Sequence, residues 1–167
     1  MGHIWLIGMM GSGKSTIGRL VADRVGRPFY DTDGLVEEEG DVSIPEIFAE
    51  EGESGFRDRE KRIVEDVASR PPGIVATGGG IILDSGNVAT MRRSGRIVLL
   101  AVDVETLKRR LGHGGDRPLL AAEKDERLDT IASERRDHYR SSADVIVDAT
   151  DSVDAVVAEV EAACNES

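Results

Sequence analysis

The segment GMMGSGKST, residues 8–16, constrains this chain more than any other part of its sequence. It follows a short apolar run and precedes a stretch of helical periodicity, and it matches the pattern G-x-x-x-x-G-K-[ST] from Gly8 to Ser15. Glycines in such a loop let backbone N–H groups turn toward an anion, and the helix that follows adds the positive end of its dipole. The segment predicts a nucleoside triphosphate site, in which Lys14 reaches the β and γ phosphates and Ser15 ligates Mg²⁺.

Short apolar runs alternate with helical patterns along the rest of the chain. The runs lack the polar alternation of a half-exposed strand, which predicts parallel strands buried on both faces. Strand and helix in alternation predict an α/β fold with a parallel sheet and right-handed crossovers. The predicted strands are residues 3–7, 28–30, 73–76, 96–102 and 144–147. The predicted helices are residues 15–25, 43–69, 85–93, 104–111, 126–139 and 152–163.

Two stretches interrupt this alternation. Residues 32–57 are acidic and helical and exceed the length of a plain crossover, and residues 112–125 contain three glycines and a proline. The first stretch extends into a predicted acceptor-binding region, residues 32–60. The second predicts a flexible lid, because glycine and proline disfavour packed helix or strand.

Charge and length narrow the classes of partner. The 167 residues carry a formal net charge of −11, so the average surface repels nucleic acids and anionic membranes, and neither is predicted as a partner. The length fits one domain over residues 1–167. The single cysteine, Cys164, excludes an internal disulfide, and no apolar run approaches the ~18 residues of a membrane span. Together these features predict a cytoplasmic protein.

Two carboxylates mark the candidate acceptor site. No N-K-x-D guanine signature is present, and the chain is too short for a typical motor or helicase core, which favours a small-molecule kinase. Asp31 and Asp33, in YDTDG, follow the second strand at the sheet edge where ligands collect, and residues two apart on an extended chain face the same side. One carboxylate can hold the Mg²⁺ shell through water while the other accepts a proton from a hydroxyl. The alternative is that either one caps a helix starting at Gly34.

A third carboxylate has a simpler interpretation. Asp103 also ends an apolar strand, but it directly precedes VETLKRRL, which has a helical pattern and an acidic first turn. That position favours a helix N-cap over a metal ligand.

Arginines and a glycine run complete the candidate site. Arg57, Arg117 and Arg135 are the basic residues of interest, and GGG at residues 78–80 follows the third strand. Glycines there let the backbone approach a ligand where a Cβ would clash. Arginines opposite a carboxylate base indicate an acceptor that has both a carboxylate and hydroxyls.

The motifs as a set resemble those of the shikimate kinase family, and they span nearly the whole chain. They are GMMGSGKST, DTD, IFAEEGESGFRDRE, ATGGG, DRPLL and ERRDHY, in this order. The resemblance implies a three-layer P-loop kinase fold, with a five-stranded parallel sheet of order 2-3-1-4-5 flanked by helices. It also implies transfer of the γ-phosphate of ATP to the 3-hydroxyl of shikimate, a step of aromatic amino-acid biosynthesis, by a monomer that uses Mg²⁺.

Residue roles follow from the same resemblance. Asp33 would bind the shikimate hydroxyls and act as base, and Asp31 would support the magnesium site through water. Glu60 would orient the arginine group, with Phe48 and Phe56 as walls of the pocket. The acceptor-binding residues implied are Asp33, Arg57, Gly78, Gly79, Gly80 and Arg135. The ATP-binding residues implied are Gly11, Ser12, Gly13, Lys14, Ser15, Thr16, Arg110 and Arg117, with Arg110 stacking on adenine and Arg117 closing over the phosphates.

Three positions depart from the family pattern, and one of them is Gly55 in GESGF, where many members of the family carry a bulkier residue. The last motif usually reads Arg-x-Pro-Leu-Tyr, and here two arginines are adjacent, so either Arg135 or Arg136 holds the acceptor carboxylate. Arg135 is preferred because it stands four residues before Tyr139. The segment near Asp151, where the family closes the adenine site, has no clear landmark.

Two other functions compete with this one. A gluconate kinase of the same fold would also bind a carboxylate and hydroxyls, so Arg57 by itself does not exclude it. A nonenzymatic nucleotide-binding module would explain the phosphate loop, but it gives no reason for Asp33, Arg57 and Gly79 to occur together.

Overall fold

A computed structural model describes residues 1–112 and 118–165 of the chain, with side chains described outside 118–122. The strands are β1 (His3–Ile7), β2 (Phe29–Asp31), β3 (Ile74–Ala76), β4 (Gly95–Ala101) and β5 (Val145–Asp148). The helices are α1 (Lys14–Val25), α2 (Thr32–Gly40), α3 (Ile44–Ala68), α4 (Ser85–Ser94), α5 (Val104–Leu111), α6 (Pro118–Ser142) and α7 (Val153–Asn165), with a 3-10 turn at Ile81–Leu83. Within the described residues, no helix combines the length and the apolar character that crossing a membrane requires.

The five strands form one parallel sheet of order β2-β3-β1-β4-β5, which confirms the predicted fold class. All five residues of β1 are buried, as expected for a strand with neighbours on both edges and helices on both faces. The central position of β1 places the loop after Ile7 beside the ends of β3 and β4. The phosphate loop, the carboxylates after β2 and the glycine run after β3 therefore meet at one edge of the sheet.

Alternate residues of the strands pack into two separate cores. Trp5 and Ile7 face the core formed with α3, α4, α5 and α6, whereas Ile4 and Leu6 face the core formed with α1 and α7. Each of these four side chains is at most 1% exposed. Burial of such a side chain contributes about 1.5–3 kcal/mol relative to exposure, so the central strand anchors both layers.

Helix α3 is interrupted once, beside the acceptor-binding region. Ser43 and Glu46 form a reciprocal capping box at its start. At Gly52 the backbone has φ 70° and ψ −175°, so the predicted single helix is two helical segments joined at a kink. Glycine adopts this conformation without the steric cost that a Cβ imposes.

Helix α6 begins earlier than the sequence predicts. Its first residue is Pro118 rather than residue 126, so the second half of the predicted lid, residues 112–125, is helical. Proline is favoured at the first position of a helix, and the Leu, Ala, Glu and Lys residues that follow are strong helix formers. Arg117, the predicted lid arginine, lies outside the described residues.

Candidate active site

The phosphate loop has the backbone that an anion site requires. Gly8, Gly11 and Gly13 have φ of 146°, 79° and 91°, values that residues with a Cβ rarely adopt. The Lys14 ammonium donates hydrogen bonds to the carbonyl oxygens of Gly8 at 2.7 Å and Met9 at 2.9 Å. Helix α1 starts at Lys14, so its N-terminal dipole adds to the positive field of the loop.

Burial controls the charge of Lys14, which is 9% exposed. The pKa of its ammonium is lowered to about 8, mainly by desolvation and to a smaller extent by the neighbouring Arg135. The carboxylates of Asp33 and Asp31 act in the opposite direction. Bound phosphates would add negative charge here and favour the ammonium form.

Asp31 links the phosphate loop to helix α2. One of its oxygens, Oδ2, accepts a hydrogen bond from the Ser15 hydroxyl at 2.9 Å. The other, Oδ1, accepts from the backbone N–H groups of Asp33 at 3.2 Å and Gly34 at 3.4 Å. Asp31 is thus the N-cap of α2, which starts at Thr32 rather than Gly34, so the capping alternative is correct for Asp31 and does not exclude its predicted place beside Ser15.

The oxygens of Ser15 and Asp31 fit a magnesium ion. Mg²⁺ binds hard oxygen ligands and usually keeps several waters and substrate phosphates, so it needs only one or two side chains. Within the described residues no group of three or more His, Cys, Asp or Glu side chains could hold a metal. The donor set therefore suits a metal that arrives with the nucleotide better than a fully protein-bound ion.

The predicted acceptor residues surround one cavity of about 240 Å³. Asp33, Arg57 and Arg135 all line it, together with the three glycines after β3. A neighbouring cavity of about 470 Å³ contains Lys14, Ser15 and Asp31 and shares Asp33 and Gly79 with the first. The acceptor cavity thus adjoins the phosphate loop at Asp33, the predicted base, and at Gly79, which is predicted to contact the substrate; Met10 also lines both cavities.

Adjacent arginines on α6 point to different places. Arg135 lines the acceptor cavity, whereas Arg136 lines a different cavity between α5 and α6. The geometry supports the preferred assignment of Arg135 to the acceptor carboxylate.

An ion pair with the buried Glu60 holds the partly exposed Arg57 at the cavity wall. Its Nη1 donates to Glu60 Oε1 at 2.9 Å, and Glu60 is 1% exposed. Burial raises the pKa of the Glu60 carboxyl, and Arg57 opposes that rise. Glu60 Oε2 is buried and has no hydrogen-bond partner in the described part of the chain. Phe56 packs under the Arg57 guanidinium at 5.2 Å, and Phe48 packs on Phe56 with ring centroids 4.9 Å apart.

The glycine run is required by close neighbours. A Cβ on Gly78 would lie 2.8 Å from Asp33 Oδ1 and 3.0 Å from Glu60 Oε2, and one on Gly80 would lie 2.7 Å from Arg57 Nη1. None of the three glycines has a positive φ. Glycine therefore lets the acidic and basic side chains approach the backbone after β3.

Asp33 is the carboxylate best placed to accept a proton. Burial raises its pKa above the usual value for aspartate, and the Asp31 carboxylate adds to the rise. Lys14 and Arg57 lower the same pKa and favour the ionised form. A carboxylate between these groups is both ionisable and more basic than an exposed aspartate.

Two side chains that support the site were missed as functional residues. The buried Tyr139 hydroxyl donates a hydrogen bond to the carbonyl oxygen of Gly79. The Thr32 hydroxyl accepts from the backbone N–H of Gly78 at 3.2 Å. Both residues belong to quoted motifs, ERRDHY and DTD, but a motif does not show which backbone group its side chain binds.

Arg110 lies beside the nucleotide loop, near the predicted adenine site. It donates to the carbonyl oxygens of Gly11 at 3.3 Å and Ala149 at 2.7 Å. Arg110, Asp151 and Val153 line a cavity of about 210 Å³ that also contains residues of the phosphate loop. Asp151, in the segment that the sequence left without a clear landmark, thus lines a cavity together with Arg110 and the phosphate loop.

The predicted helix cap at Asp103 is confirmed. Its Oδ1 accepts from the backbone N–H of Thr106 at 2.9 Å, and its Oδ2 accepts from the Thr106 hydroxyl at 2.7 Å. These bonds lower the pKa of Asp103.

Comparison with known sequences identifies one family. A family model described as shikimate kinase matches residues 10–165. A shikimate kinase from Symbiobacterium thermophilum is 44% identical over 163 residues, covering 95% of this chain and 93% of that protein. One from Chromobacterium violaceum is 38% identical over 150 residues, covering 89% and 82%.

Solved structures agree with the sequence comparison. A shikimate kinase from Acinetobacter baumannii in complex with shikimate has a TM-score of 0.86 at 33% identity, covering 99% of this chain and 92% of that one. A gluconokinase from Sinorhizobium meliloti has a TM-score of 0.62 at 19% identity, covering 99% and 92%. That second likeness concerns the fold alone.

Proposed function

The chain belongs to the shikimate kinase family, and we propose that it transfers the γ-phosphate of ATP to the 3-hydroxyl of shikimate. The observation that carries this proposal is the continuity of the two cavities at Asp33 and Gly79. A carboxylate base lies there between a phosphate loop and an arginine-lined acceptor cavity. That arrangement suits in-line transfer from a nucleotide to a hydroxyl of an anionic acceptor.

The acceptor is positioned by the arginines. Arg57 and Arg135 bind the shikimate carboxylate, because guanidinium groups match a carboxylate in charge and geometry. Glu60 fixes Arg57, and the Gly79 backbone contacts the hydroxyl side of the ring. This leaves the 3-hydroxyl directed at Asp33.

Proton and phosphoryl transfer then follow from the local charges. Asp33 accepts the proton of the 3-hydroxyl while the hydroxyl oxygen of shikimate attacks the γ-phosphorus. The bond between the γ-phosphorus and the bridging oxygen of the β-phosphate breaks, and ADP leaves. Lys14 and the amides of the phosphate loop stabilise negative charge on the transferring group. Arg117 closes over the phosphates with the lid of residues 112–125. Arg110 holds the adenine side, with Gly11, Ser12, Gly13 and Thr16 around the phosphates.

Ser15 and Asp31 would hold Mg²⁺, which when bound neutralises charge on the nucleotide phosphates. The support is their 2.9 Å pairing next to Lys14. Asp31 keeps its second oxygen on helix α2, so this site and the base at Asp33 stay at a fixed spacing.

We also propose one kinase domain over residues 1–167 that acts as a monomer in the cytoplasm. The free thiol of the buried Cys164 suits a reducing compartment. The net charge of −11 argues against nucleic acid or membrane partners.

The decisive experiment measures ADP release with Mg-ATP and a panel of acceptors. Shikimate should stimulate release, and ³¹P NMR should place the new phosphate on the 3-hydroxyl. Two matched compounds separate the parts of the site: 3-dehydroshikimate keeps the carboxylate but has no 3-hydroxyl, and shikimate methyl ester keeps the hydroxyls but has no charge for Arg57 and Arg135. Stimulation by gluconate alone would overturn the acceptor, and release that no acceptor stimulates would favour a nucleotide-binding module.

A further inference from the structure

Helix α6 separates two cavities. Ile131 and Arg135 line the acceptor cavity on one side. Ala132, Arg136 and Arg140 line the other, and their four-residue spacing places them in one stripe of the helix. The second cavity has a volume of about 750 Å³ and lies between α5, α6 and the ends of β4 and β5. We call it the α5–α6 cavity.

The floor of the α5–α6 cavity is apolar. Leu99 and Ala101 of β4, Leu107 of α5 and Ile146 of β5 contribute to it. Ile146 is 47% exposed, although β5 has the sequence of a buried strand. A concave, largely apolar surface of this volume falls in the range of small-molecule sites.

The α6 wall of this cavity carries two exposed arginines, Arg136 and Arg140. Arg136 and Arg140 have no hydrogen bond or ion pair within residues 1–112 and 118–165, and both are exposed. Two carboxylates, Asp103 and Asp148, also line the cavity, so its lining as a whole has no net positive charge. Their hydrogen bonds come from Thr106 and, at 2.9 Å, from the backbone N–H of Thr150, and not from the two arginines. The free hydrogen-bond donors of the guanidinium groups favour an anionic ligand group at the α6 wall.

We propose that the α5–α6 cavity binds a small amphipathic carboxylate. Its apolar body lies on β4 and β5, and its carboxylate pairs with Arg136 and Arg140. This site is separate from the acceptor clamp, by which we mean the pair Arg57 and Arg135 that binds the shikimate carboxylate. Those two arginines line the cavity on the opposite side of α6.

Tyr139 couples this site to the reaction. Met9 and Tyr139 line the α5–α6 cavity. The Tyr139 hydroxyl binds the Gly79 carbonyl, and the Met9 carbonyl accepts from Lys14. A ligand that displaces the Tyr139 side chain therefore changes the position of the Gly79 backbone in the acceptor site, and occupancy alters the KM for shikimate.

The test uses 4-phenylbutyrate as the probe, with neutral 4-phenylbutanamide as its matched control. In ¹⁵N-labelled protein, the carboxylate should shift the amide resonances of Ala132 and Ile146, and the amide compound should bind at least tenfold more weakly. The double variant Arg136→Ala/Arg140→Ala should weaken binding of 4-phenylbutyrate by tenfold or more. Arg93→Ala, which removes an exposed arginine on α4, should not.

A cavity-filling variant and an acceptor-site variant make the result decisive. Ala132→Leu should exclude the probe by occupying the cavity, whereas Arg57→Ala should leave its binding unchanged. Binding that is lost in Arg57→Ala and kept in the double variant would overturn the proposal, because the probe would then occupy the acceptor clamp. Absence of binding in the unmodified protein would also overturn it. At saturation the probe should change the KM for shikimate at least twofold, and an unchanged KM would overturn the coupling.

Discussion

The phosphate loop and the loop after β3 both depend on glycine, but for opposite reasons. In the phosphate loop, Gly11 and Gly13 have positive φ, so a side chain would strain the backbone whatever its surroundings. After β3, Gly78 and Gly80 have no positive φ, and it is the side chains of Asp33, Glu60 and Arg57 that leave no room for a Cβ. One loop is shaped by its own backbone and the other by distant parts of the chain.

The two sites also differ in how their residues are distributed along the sequence. A contiguous stretch of nine residues supplies half of the residues that line the phosphate site. The acceptor cavity draws on α2, α3, α6 and the loop after β3, and takes only Met9 and Met10 from that stretch. Damage to the phosphate loop should therefore affect every reaction of the protein. Damage to the acceptor cavity should affect the acceptor and leave nucleotide binding intact.

The sharpest separation of the two regions comes from Asp33→Asn. The variant removes the proton acceptor without changing the phosphate loop, so kcat should fall by about 100-fold to 10,000-fold. ATP binding, measured by calorimetry, should change less than threefold. Asp23→Asn, at an exposed position on α1, is the control and should behave as the unmodified protein. A kcat within threefold of normal in Asp33→Asn would remove Asp33 from the role of base.

Adjacent arginines provide the next test. Arg135→Ala should raise the KM for shikimate by about 10-fold to 100-fold, the effect of losing a hydrogen bond between charged groups. Arg136→Ala should leave that KM within twofold, since its side chain lies on the other side of α6. Steady-state kinetics of the two variants at saturating ATP compare them directly. Equal effects would show that the two sides of α6 are not separate.

The two kinds of glycine are distinguished by Gly80→Ala and Gly26→Ala. A Cβ at Gly80 meets Arg57, whose side chain can move away, so the KM for shikimate should rise roughly tenfold, equivalent to about 1.4 kcal/mol. Gly26 ends α1 with φ 64° and has open space around its Cβ position. Its variant should lose about 1–2 kcal/mol of unfolding free energy with unchanged kinetics. Denaturant titration and measurement of the KM for shikimate on both proteins test this prediction. It is contradicted if both variants change only in KM or both change only in the free energy of unfolding.

The smallest effect concerns the pH dependence of ATP binding. The Lys14 ammonium has a pKa of about 8 in the free protein, and phosphates favour its charged form, so ATP affinity should decrease as pH rises above 8. The decrease should be at most about tenfold for each pH unit. In Lys14→Arg the side chain stays charged, and the decrease between pH 8 and 9 should be smaller. An equal slope in the two proteins would assign the effect to another group.

The parallel sheet was predictable from the apolar runs, whereas its strand order and the meeting of Asp33, Arg57 and Gly79 in one site were expected from the family resemblance. Parallel strands that are buried on both faces end at one edge of the sheet, and each motif follows a strand or lies on a neighbouring helix. Periodicity thus gave the edge of the sheet at which the motifs lie, and the resemblance supplied the order of the strands and the roles of the residues.

Contacts between distant segments were not predictable in the same way. The bond from Tyr139 to Gly79 joins residues 60 positions apart, and its existence depends on how α6 is rotated. The same rotation decides between Arg135 and Arg136, because neighbouring residues on a helix point about 100° apart. The kink at Gly52 was also missed, since a single glycine in a helical pattern is compatible with an uninterrupted helix.

Asp31 has a consequence for how such a protein can diversify. Its two oxygens serve different parts of the molecule, one toward Ser15 at the nucleotide side and the other toward the start of the helix that carries Asp33. Residues of the acceptor cavity can be exchanged during evolution to accept a different substrate while phosphate chemistry is retained. Asp31 belongs to both sides, so selection for a new acceptor cannot act on it without also altering nucleotide use.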